Sequence, residues 1–464
     1  MNKHRYTVLC GTLAAALIAA SGLIGDAAAK KAPAGPKINM NPTTAAEQFT
    51  LGERYYFGRR VRKDPEKAFY WFLQAARQNH PRAQFNVGSM LKSAEGVSYD
   101  KEQSLYWTTR AAENGYASAQ YNLGFYYSKG DMLPEDKQKA VAWYTRAAEQ
   151  GHGRAQYNLA VIYDNGDGVA EDNTLAFRWY TAAAKQKVPE ALYAIALKYD
   201  TGRELPKDLI QAAGFYRLAA DLNLAAAQNK LGEKYELGEG IEQDVEQAFY
   251  WFSRAAKQGN ADAEFHVGRF YDSGDGGVPM DTKKALEWFE RAANKGHAKA
   301  QFNVGSLMDI GVDGFVDKRA AISWYTKAAE NNDQTAQYYL AIKYHEGVDV
   351  PKDAGKAVYW FTRAAEQGDA DAQSYLAEIY DDGLGAPEDN EKAVYWYRKA
   401  AEQDDATDQF HLAEKYEAGE GVGKDMTQAV SWYTKAAAHG HEDAISALKR
   451  LGAPIPEVVD EGGP

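Results

Sequence analysis

The ten tryptophans of the chain occupy one column of a 36-residue period. They are Trp71, Trp107, Trp143, Trp179, Trp251, Trp288, Trp324, Trp360, Trp396 and Trp432. Phe215 lies at the midpoint of the one long gap, and every step is then 36 residues except the 37 residues from Trp251 to Trp288. A period of this length is typical of solenoids built from stacked helix pairs. One repeating architecture can therefore account for most of the 464 residues.

A column of aspartates precedes the aromatic column by seven residues. Its members are Asp64, Asp100, Asp136, Asp172, Asp208, Asp244, Asp281, Asp317, Asp353, Asp389 and Asp425. Each stands before a helical pattern, where a carboxylate accepts from free backbone N–H groups and complements the helix dipole. We interpret this column as helix N-caps. The alternative, a calcium loop at 164–168, has glycines at positions where oxygen ligands are required, and we interpret it as a turn.

The helix that follows each aspartate, the second helix of a repeat, has one apolar face. In the third repeat that face carries Ala140, Trp143, Ala147 and Ala148, which are spaced as one side of an α-helix. Trp143 is therefore expected to be a buried core residue. The residues expected to end these helices in a left-handed conformation are Gly115, Gly151, Gly259, Gly296, Gly368, Gly440, Asn79, Asn223 and Asn332.

The first helix of each repeat carries a small residue at one fixed position. The column reads Gly52, Gly88, Gly124, Ala160, Ala196, Gly232, Gly268, Gly305, Ala341, Ala377 and Ala413. Glycine inside a helix costs about 1 kcal/mol relative to alanine. Its repeated use predicts that another helix approaches closely at this position, with an aromatic side chain filling the space.

Three segments carry a resemblance to a known family. They are Ala-Gln-Tyr-Asn-Leu-Gly at 119–124, Trp-Tyr-Thr-Arg-Ala-Ala at 143–148 and the Gly-x-Gly-Val turn at 166–169. The chain resembles the Sel1-like repeat family, a branch of the tetratricopeptide-like solenoids. The resemblance implies an all-α, right-handed superhelical solenoid of about eleven helix-turn-helix repeats over residues 44–452, with a C-terminal capping helix near 443–451.

The first 29 residues have the pattern of a secretory signal peptide. Lys3 and Arg5 precede an apolar stretch over 8–24, and the small residues Ala27 and Ala29 precede Lys30. We expect cleavage after Ala29 and a periplasmic or secreted protein. The alternative is an uncleaved anchor, although the stretch falls short of the roughly 20 residues of a spanning helix. Residues 30–43 are expected to be a flexible linker, and 453–464 a disordered tail.

The composition restricts the kinds of partner. The net charge is −12, and removal of Lys3, Arg5 and Asp26 with the signal peptide would make it −13. Nucleic-acid binding requires clustered cations, so we expect no nucleic-acid partner. Cys10 is the only cysteine, so the mature chain would have neither a disulfide nor a thiolate.

Catalytic and metal-binding patterns are absent from the sequence. It contains no Gly-x-Ser-x-Gly, His-Glu-x-x-His or phosphate-cradling Gly-Lys-Ser/Thr motif. His80, His152, His297 and His441 share one column after the second helices, which indicates an architectural role. We therefore predict a protein that is not an enzyme and has no cofactor and no metal.

The resemblance implies an adaptor that binds a protein or peptide partner in a groove lined by the first helices. The candidate groove residues are Asn86, Asn122 and Asn158 of three successive first helices, and Asn303 further along. Their amides would grip the backbone of an extended chain, although the same column also fits a structural role. The alternative function is a cell-wall or polysaccharide-binding protein, which would show a continuous row of exposed tyrosines in the groove. Repeats five, seven and eight deviate from the pattern and are candidates for partner-specific loops.

Overall fold

The computed structural model describes residues 38–457, so the predicted signal peptide, most of the linker and residues 458–464 lie outside the described chain. The described part contains 23 helices, named α1 to α23 in chain order. Repeat 1 consists of α1 and α2, and the numbering continues to repeat 11, which consists of α21 and α22. The first helices are α1 Ala45–Phe57, α3 Pro81–Ser93, α5 Ala117–Lys129, α7 Gly153–Asn165, α9 Pro189–Thr201, α11 Ala225–Leu237, α13 Ala261–Ser273, α15 Ala298–Ile310, α17 Gln334–Glu346, α19 Ala370–Asp382 and α21 Ala406–Ala418.

The second helices follow after short turns. They are α2 Pro65–Arg77, α4 Lys101–Glu113, α6 Lys137–Glu149, α8 Asn173–Lys185, α10 Leu209–Asp221, α12 Val245–Lys257, α14 Thr282–Ala293, α16 Lys318–Glu330, α18 Ala354–Glu366, α20 Asn390–Ala401 and α22 Met426–Ala438. The capping helix α23 is Glu442–Leu451. The all-α prediction is confirmed, since the β interaction found in residues 38–457 is an isolated bridge between Val312 and Phe315.

The chain forms two compact units, one ending at Trp251 and the other beginning at Phe252. Within each unit the first helix of a repeat packs against its own second helix, and that second helix packs against the next first helix. The cores are correspondingly local. One cluster, for example, joins Tyr144 of α6 to Leu159 of α7. This nearest-neighbour packing is the arrangement expected of a helical-repeat solenoid, and the predicted fold class is confirmed.

The predicted caps are confirmed at both ends of the second helices. The carboxylate of each column aspartate accepts a hydrogen bond from the backbone N–H three residues later, at 2.9 to 3.1 Å. The residues predicted to stop the helices all have positive φ, for example 83° at Gly151 and 67° at Asn223. Lys187 occupies the same position after α8 with a φ of 58°, where a lysine is unusual.

The four column histidines are helix N-caps, three of them on first helices and His441 on the capping helix α23. The ring Nδ1 atoms of His80, His152, His297 and His441 accept from the N–H three residues later at 3.1 to 3.4 Å. Burial lowers the pKa of His152, which favours the neutral ring that can accept this bond. Residues 38–457 contain no group of three or more histidine, cysteine, aspartate or glutamate side chains suited to a metal ion.

The small residue of the first helix faces an aromatic ring at Gly52, Gly124, Gly268 and Gly305, as predicted, but the ring belongs to the residue after the tryptophan; at Gly88 that residue is Thr108, which is not aromatic. A Cβ atom added at Gly124 would lie 2.6 Å from Cδ1 of Tyr144. Tyr144 is 2% exposed, whereas Trp143 is half-buried. The expectation that Trp143 is a fully buried core residue was therefore wrong. Successive side chains of an α-helix are rotated by about 100° around its axis, so Tyr144 lies between the two helices and Trp143 does not.

Candidate binding surfaces

A column of buried glutamines connects consecutive repeats. Gln120 of α5 donates from Nε2 to the carbonyl oxygen of Ala112 at 3.1 Å, and its Oε1 accepts from Nε2 of Gln150 at 2.6 Å. The first bond reaches back to α4 of the preceding repeat, and the second reaches the end of α6. One side chain thereby joins three helices.

The same bonds recur along both units. Bonds to the carbonyl of the preceding second helix, at 2.9 to 3.2 Å, are made by Gln84, Gln156, Gln228, Gln301, Gln337, Gln373 and Gln409. Bonds from the end of the following second helix, at 2.7 to 2.9 Å, are accepted by Gln48, Gln84, Gln301, Gln337 and Gln373. Sequence reasoning missed this column, although the recurrence of Gln two residues before the predicted groove asparagines was a visible signal.

The predicted groove asparagines are half-buried on the first helices. Asn86, Asn122 and Asn158 occupy the same position of the successive helices α3, α5 and α7, whereas Asn303 lies on α15 in the other unit. The structure therefore places three of the four at the same position of successive first helices of one unit, and Asn303 belongs to the other unit. The side chain of Asn158 interacts with the Tyr144 hydroxyl, an effect that opposes the rise in the pKa of Tyr144 to about 12 caused mainly by burial.

A second recurring arrangement joins neighbouring first helices, and it consists of a buried lysine paired with two carboxylates. Lys198 of α9 donates to Asp164 at the end of α7 at 2.6 Å and also to Glu204 in its own turn. The Tyr180 hydroxyl donates to the same Asp164 at 3.0 Å. Burial and the neighbouring Asp164 raise the pKa of Tyr180, so its hydroxyl keeps the proton that it donates. Equivalent clusters form around Lys234, Lys343 and Lys415.

A cleft of about 500 Å³ opens on the first helices of repeats 4 to 6, and we name it the first-helix cleft. Its walls include Tyr157, Tyr193 and Leu197, and its charged residues include Asp164 and Glu190. Glu190 is exposed, and together with burial it raises the pKa of Tyr157, with burial the larger cause. The cleft thus combines aromatic walls with a surplus of carboxylates.

Exposed aromatic side chains are concentrated on the second helices instead. Tyr70, Tyr106, Tyr250, Tyr359 and Tyr395, each about half exposed, all precede a column tryptophan and meet its ring edge to face at 4.7 to 5.1 Å. The exposed aromatics of the described first helices are Phe57, Phe125 and Tyr339. The continuous tyrosine row expected of a glycan groove is therefore not observed on the described first helices.

This arrangement defines an all-α solenoid of helical repeats joined by buried glutamines. The chain belongs to the Sel1 repeat family. The family model matches residues 48–80, 81–116, 117–152, 153–188, 189–224, 225–260, 261–297, 298–333, 334–369, 370–405 and 407–441. Proteins built from Sel1 repeats generally mediate protein–protein interactions and are typically non-catalytic.

Solved structures of similar proteins include one that covers most of this chain. A protective antigen present in uropathogenic Escherichia coli strains, displaying an SLR fold, is 34% identical over 88% of this chain and 87% of its own, with a TM-score of 0.74. A Sel1 repeat protein from Oxalobacter formigenes is 31% identical over 53% of this chain and 96% of its own, with a TM-score of 0.48. A search of curated proteins finds no match. Among residues 38–457, none of the helices has the length and apolar character needed to cross a bilayer.

Proposed function

We propose that this protein is an exported, non-catalytic scaffold that binds a basic segment of a partner protein in the first-helix cleft. The observation that carries the proposal is the pairing of two tyrosine rings with an exposed carboxylate in that cleft. Tyr157 and Tyr193 form its walls and Glu190 stands at its edge. A guanidinium group stacks on aromatic faces and pairs with carboxylates, so this combination is suited to arginine.

The charge of the cleft supports a cationic partner. Lys198 is already held by Asp164 and Glu204, and Arg203 at the rim pairs with Glu204 at 3.4 Å. Glu190 forms no salt bridge among residues 38–457 and is free to pair with an incoming cation. The net charge of −12 adds a long-range attraction for basic proteins.

The titratable groups of the cleft support binding rather than catalysis. Asp164 and Lys198 are held in a hydrogen bond that joins α7 to α9. A side chain that holds two helices together is a poor general acid or base, because giving up its proton or its charge would break that link. The same Lys–Asp pairing recurs in repeats that have no glutamate at the position equivalent to Glu190. This recurrence favours a structural role for the pair.

Export is supported by the signal pattern of residues 1–29 and by the nature of one relative. The Escherichia coli protein is described as a protective antigen. The test is the intact mass of the protein recovered from the culture medium or the periplasm. A mass equal to that of a chain beginning at Lys30 supports export with cleavage. A mass equal to that of a chain that still contains Cys10 would contradict it.

The binding proposal is tested with a fluorescein-labelled peptide of alternating arginine and serine. Charge reversal by Glu190→Arg should weaken its binding at least tenfold at low salt, because attraction is replaced by repulsion. The matched control is Asp371→Arg, which changes the equivalent exposed position of α19, where Ser374 stands in place of Tyr193. Equal effects of the two substitutions would show that the peptide responds only to the net charge of the protein. That result would contradict binding in the first-helix cleft.

A further inference from the structure

The turn between α1 and α2 carries an unusual concentration of positive charge. Four of the five residues 59–63 are cations, namely Arg59, Arg60, Arg62 and Lys63, and no other five consecutive residues of the chain contain as many. All four are exposed, as is Phe57, the last residue of α1. We name residues 57–63 the basic turn.

The sign of this charge is specific to repeat 1. Residues 58–64 have four cations and one carboxylate, which gives a net charge of +3. The same segment of the other ten repeats has a net charge between −3 and zero, and in repeat 4, for example, residues 166–172 contain three carboxylates and no cation. Since the other repeats form this turn without a positive charge, the fold of the turn does not require one.

The backbone of Arg60 supports the same conclusion. Its φ is 65°, and the residues at the same position of repeats 2, 4 and 6 are glycines with φ of 70°, 81° and 73°. A left-handed backbone is unfavourable for a residue with a Cβ atom, so glycine suits this position better than arginine. The presence of arginine favours a role for its side chain beyond the folding of the turn.

Much of the positive charge is available to a partner. Arg59 and Arg62 form no salt bridge within residues 38–457. Lys63 lies 3.7 Å from Glu95, and 60% of the lysine side chain is exposed. An exposed ion pair contributes little free energy, so it competes poorly with an incoming anion.

An exposed aromatic ring lies beside these cations. Phe57 is 53% exposed, and the guanidinium carbon of Arg59 lies 4.7 Å from the centre of its ring. The basic turn therefore presents an apolar group and positive charges together. Such a combination partitions into the interface of a bilayer, where the ring contacts the upper part of the acyl chains and the cations stay at the phosphates.

The cleft beside the turn is not suited to a small anion. Its volume is about 620 Å³, and its lining includes the cations Arg62 and Lys63 but also the carboxylates Asp64 and Glu66. Arg59 lies outside this lining. Small ligands bind in concave sites that enclose most of their surface. The exposed cations of the basic turn are better matched to an extended anionic surface.

A long polyanion such as a nucleic acid fits the neighbouring turns poorly. Its phosphates continue past any single repeat, and the only charged residues of the next two turns, 94–100 and 130–136, are carboxylates. A membrane can instead meet the chain at repeat 1 alone. Residues 30–37, just before the described chain, add three lysines and no carboxylate. Salt limits repulsion from more distant acidic groups, because exposed charges are screened over about 8–10 Å.

From the exposed cations, the adjoining ring and the carboxylates of the neighbouring cleft and turns, we propose that the basic turn docks on a bilayer surface that contains anionic phospholipids. Arg59 and Arg62 pair with the lipid phosphates, and Phe57 inserts between the headgroups. The protein is then a scaffold attached to a membrane surface through its first repeat. The basic turn shares no residue with the first-helix cleft, so neither proposal depends on the other.

The experiment is co-sedimentation with vesicles of phosphatidylcholine, with or without an equal part of phosphatidylglycerol. The chain is used from Lys30 onward, which keeps all described residues and removes the apolar stretch over 8–24 that would itself enter a bilayer. The wild type should bind only the anionic vesicles at about 0.05 M salt and be released at about 0.5 M. Arg59→Glu with Arg62→Glu should weaken binding at least about 25-fold, since each cation near an anionic bilayer contributes roughly fivefold.

Two other variants test the location of the charge and the role of the ring. Arg203→Glu with Lys207→Glu makes the same change of net charge in the turn of repeat 5 and should alter vesicle binding less than about twofold. Phe57→Ser should weaken vesicle binding roughly fivefold, because it removes the apolar group that enters the interface. Thermal unfolding followed by circular dichroism identifies variants that lose binding through loss of fold.

The proposal is overturned if the wild type binds neutral and anionic vesicles equally or binds neither. Equal weakening by the repeat 1 and repeat 5 pairs would show that only net charge matters, and an unchanged affinity of Phe57→Ser would exclude insertion of the ring. Tighter binding to a DNA duplex or to a polyglutamate peptide than to the vesicles, lost in Arg59→Glu with Arg62→Glu, would assign the basic turn to a nucleic acid or an acidic protein instead.

Discussion

Gly124 and Tyr144 are in contact so close that a methyl group at position 124 would lie 2.6 Å from the tyrosine Cδ1 atom. Alanine would favour the helix by about 1 kcal/mol but would overpack the contact by about 1–3 kcal/mol. We expect Gly124→Ala to lower the free energy of unfolding by up to about 2 kcal/mol, measured by urea denaturation. The matched control is Gly214→Ala in α10, where an added Cβ meets nothing within 4 Å. That substitution should stabilise the protein, and a similar loss at both sites would contradict the contact argument.

Substitutions in the two adjacent aromatic columns should differ sharply in their effect on the stability of the protein. Tyr144 is 2% exposed and fills the space between α5 and α6, whereas Trp143 is half-buried. Tyr144→Ala should cost about 3–5 kcal/mol, and Trp143→Ala should cost clearly less. Hydrogen exchange should show the loss for Tyr144→Ala first in repeats 2 to 4, since stability is transmitted between neighbouring repeats. A larger loss for Trp143→Ala would contradict this assignment of the core.

The glutamine column provides a matched pair for stability. Gln120→Leu removes two hydrogen bonds, the one to the Ala112 carbonyl, which keeps the Gly115 N–H, and the one from the Gln150 amide. We expect a cost of about 1–3 kcal/mol. Gln156→Leu removes only the bond to the Ala148 carbonyl, which keeps the Gly151 N–H, together with an oxygen that is already unsatisfied, so its cost should be smaller. Chemical denaturation of both variants shows which of them loses more free energy of unfolding. Equal losses would mean that the hydrogen bond accepted by Oε1 contributes nothing to stability.

Asp408 should make the stability of the protein depend on pH. It stands where the equivalent residue of repeats 2 to 10 is alanine, is 3% exposed and accepts a hydrogen bond from Ser374. Burial raises the pKa of Asp408 from the ordinary value of 3.8 to about 7. Between these values the folded chain binds more protons than the unfolded chain, so stability falls as the pH rises from about 4 to 7.

Asp408→Asn should remove this contribution and make the protein more stable than wild type at pH 8, by about 1–4 kcal/mol. The measurement is urea unfolding at a series of pH values. The exposed substitution Asp371→Asn serves as the control and should leave the pH dependence of the wild type in place. A wild-type slope that persists in Asp408→Asn would show that other groups produce it.

Much of the fold could be predicted from the sequence because each repeat carries its own local signals. The aspartate at position 136 determines where α6 begins, and Gly151 supplies the left-handed residue that follows it. Both act through backbone groups within a few residues, so the sequence alone locates them. The small-residue column likewise predicted a close approach of two helices before the structure placed Tyr144 against Gly124.

The binding surfaces could not be predicted in this way, because they depend on contacts between residues about 30 positions apart. Sequence reasoning chose Asn122 as a candidate groove residue and overlooked Gln120, since it could not show which of them points into the junction between repeats. It also could not show that the Gln156 Oε1 atom is left without a hydrogen-bond partner. The sequence by itself determined the repeat, the caps and the family, because these follow from local backbone chemistry and from periodicity. Only the tertiary structure decided which side chains are satisfied across neighbouring repeats, because that depends on rotamers and packing between helices.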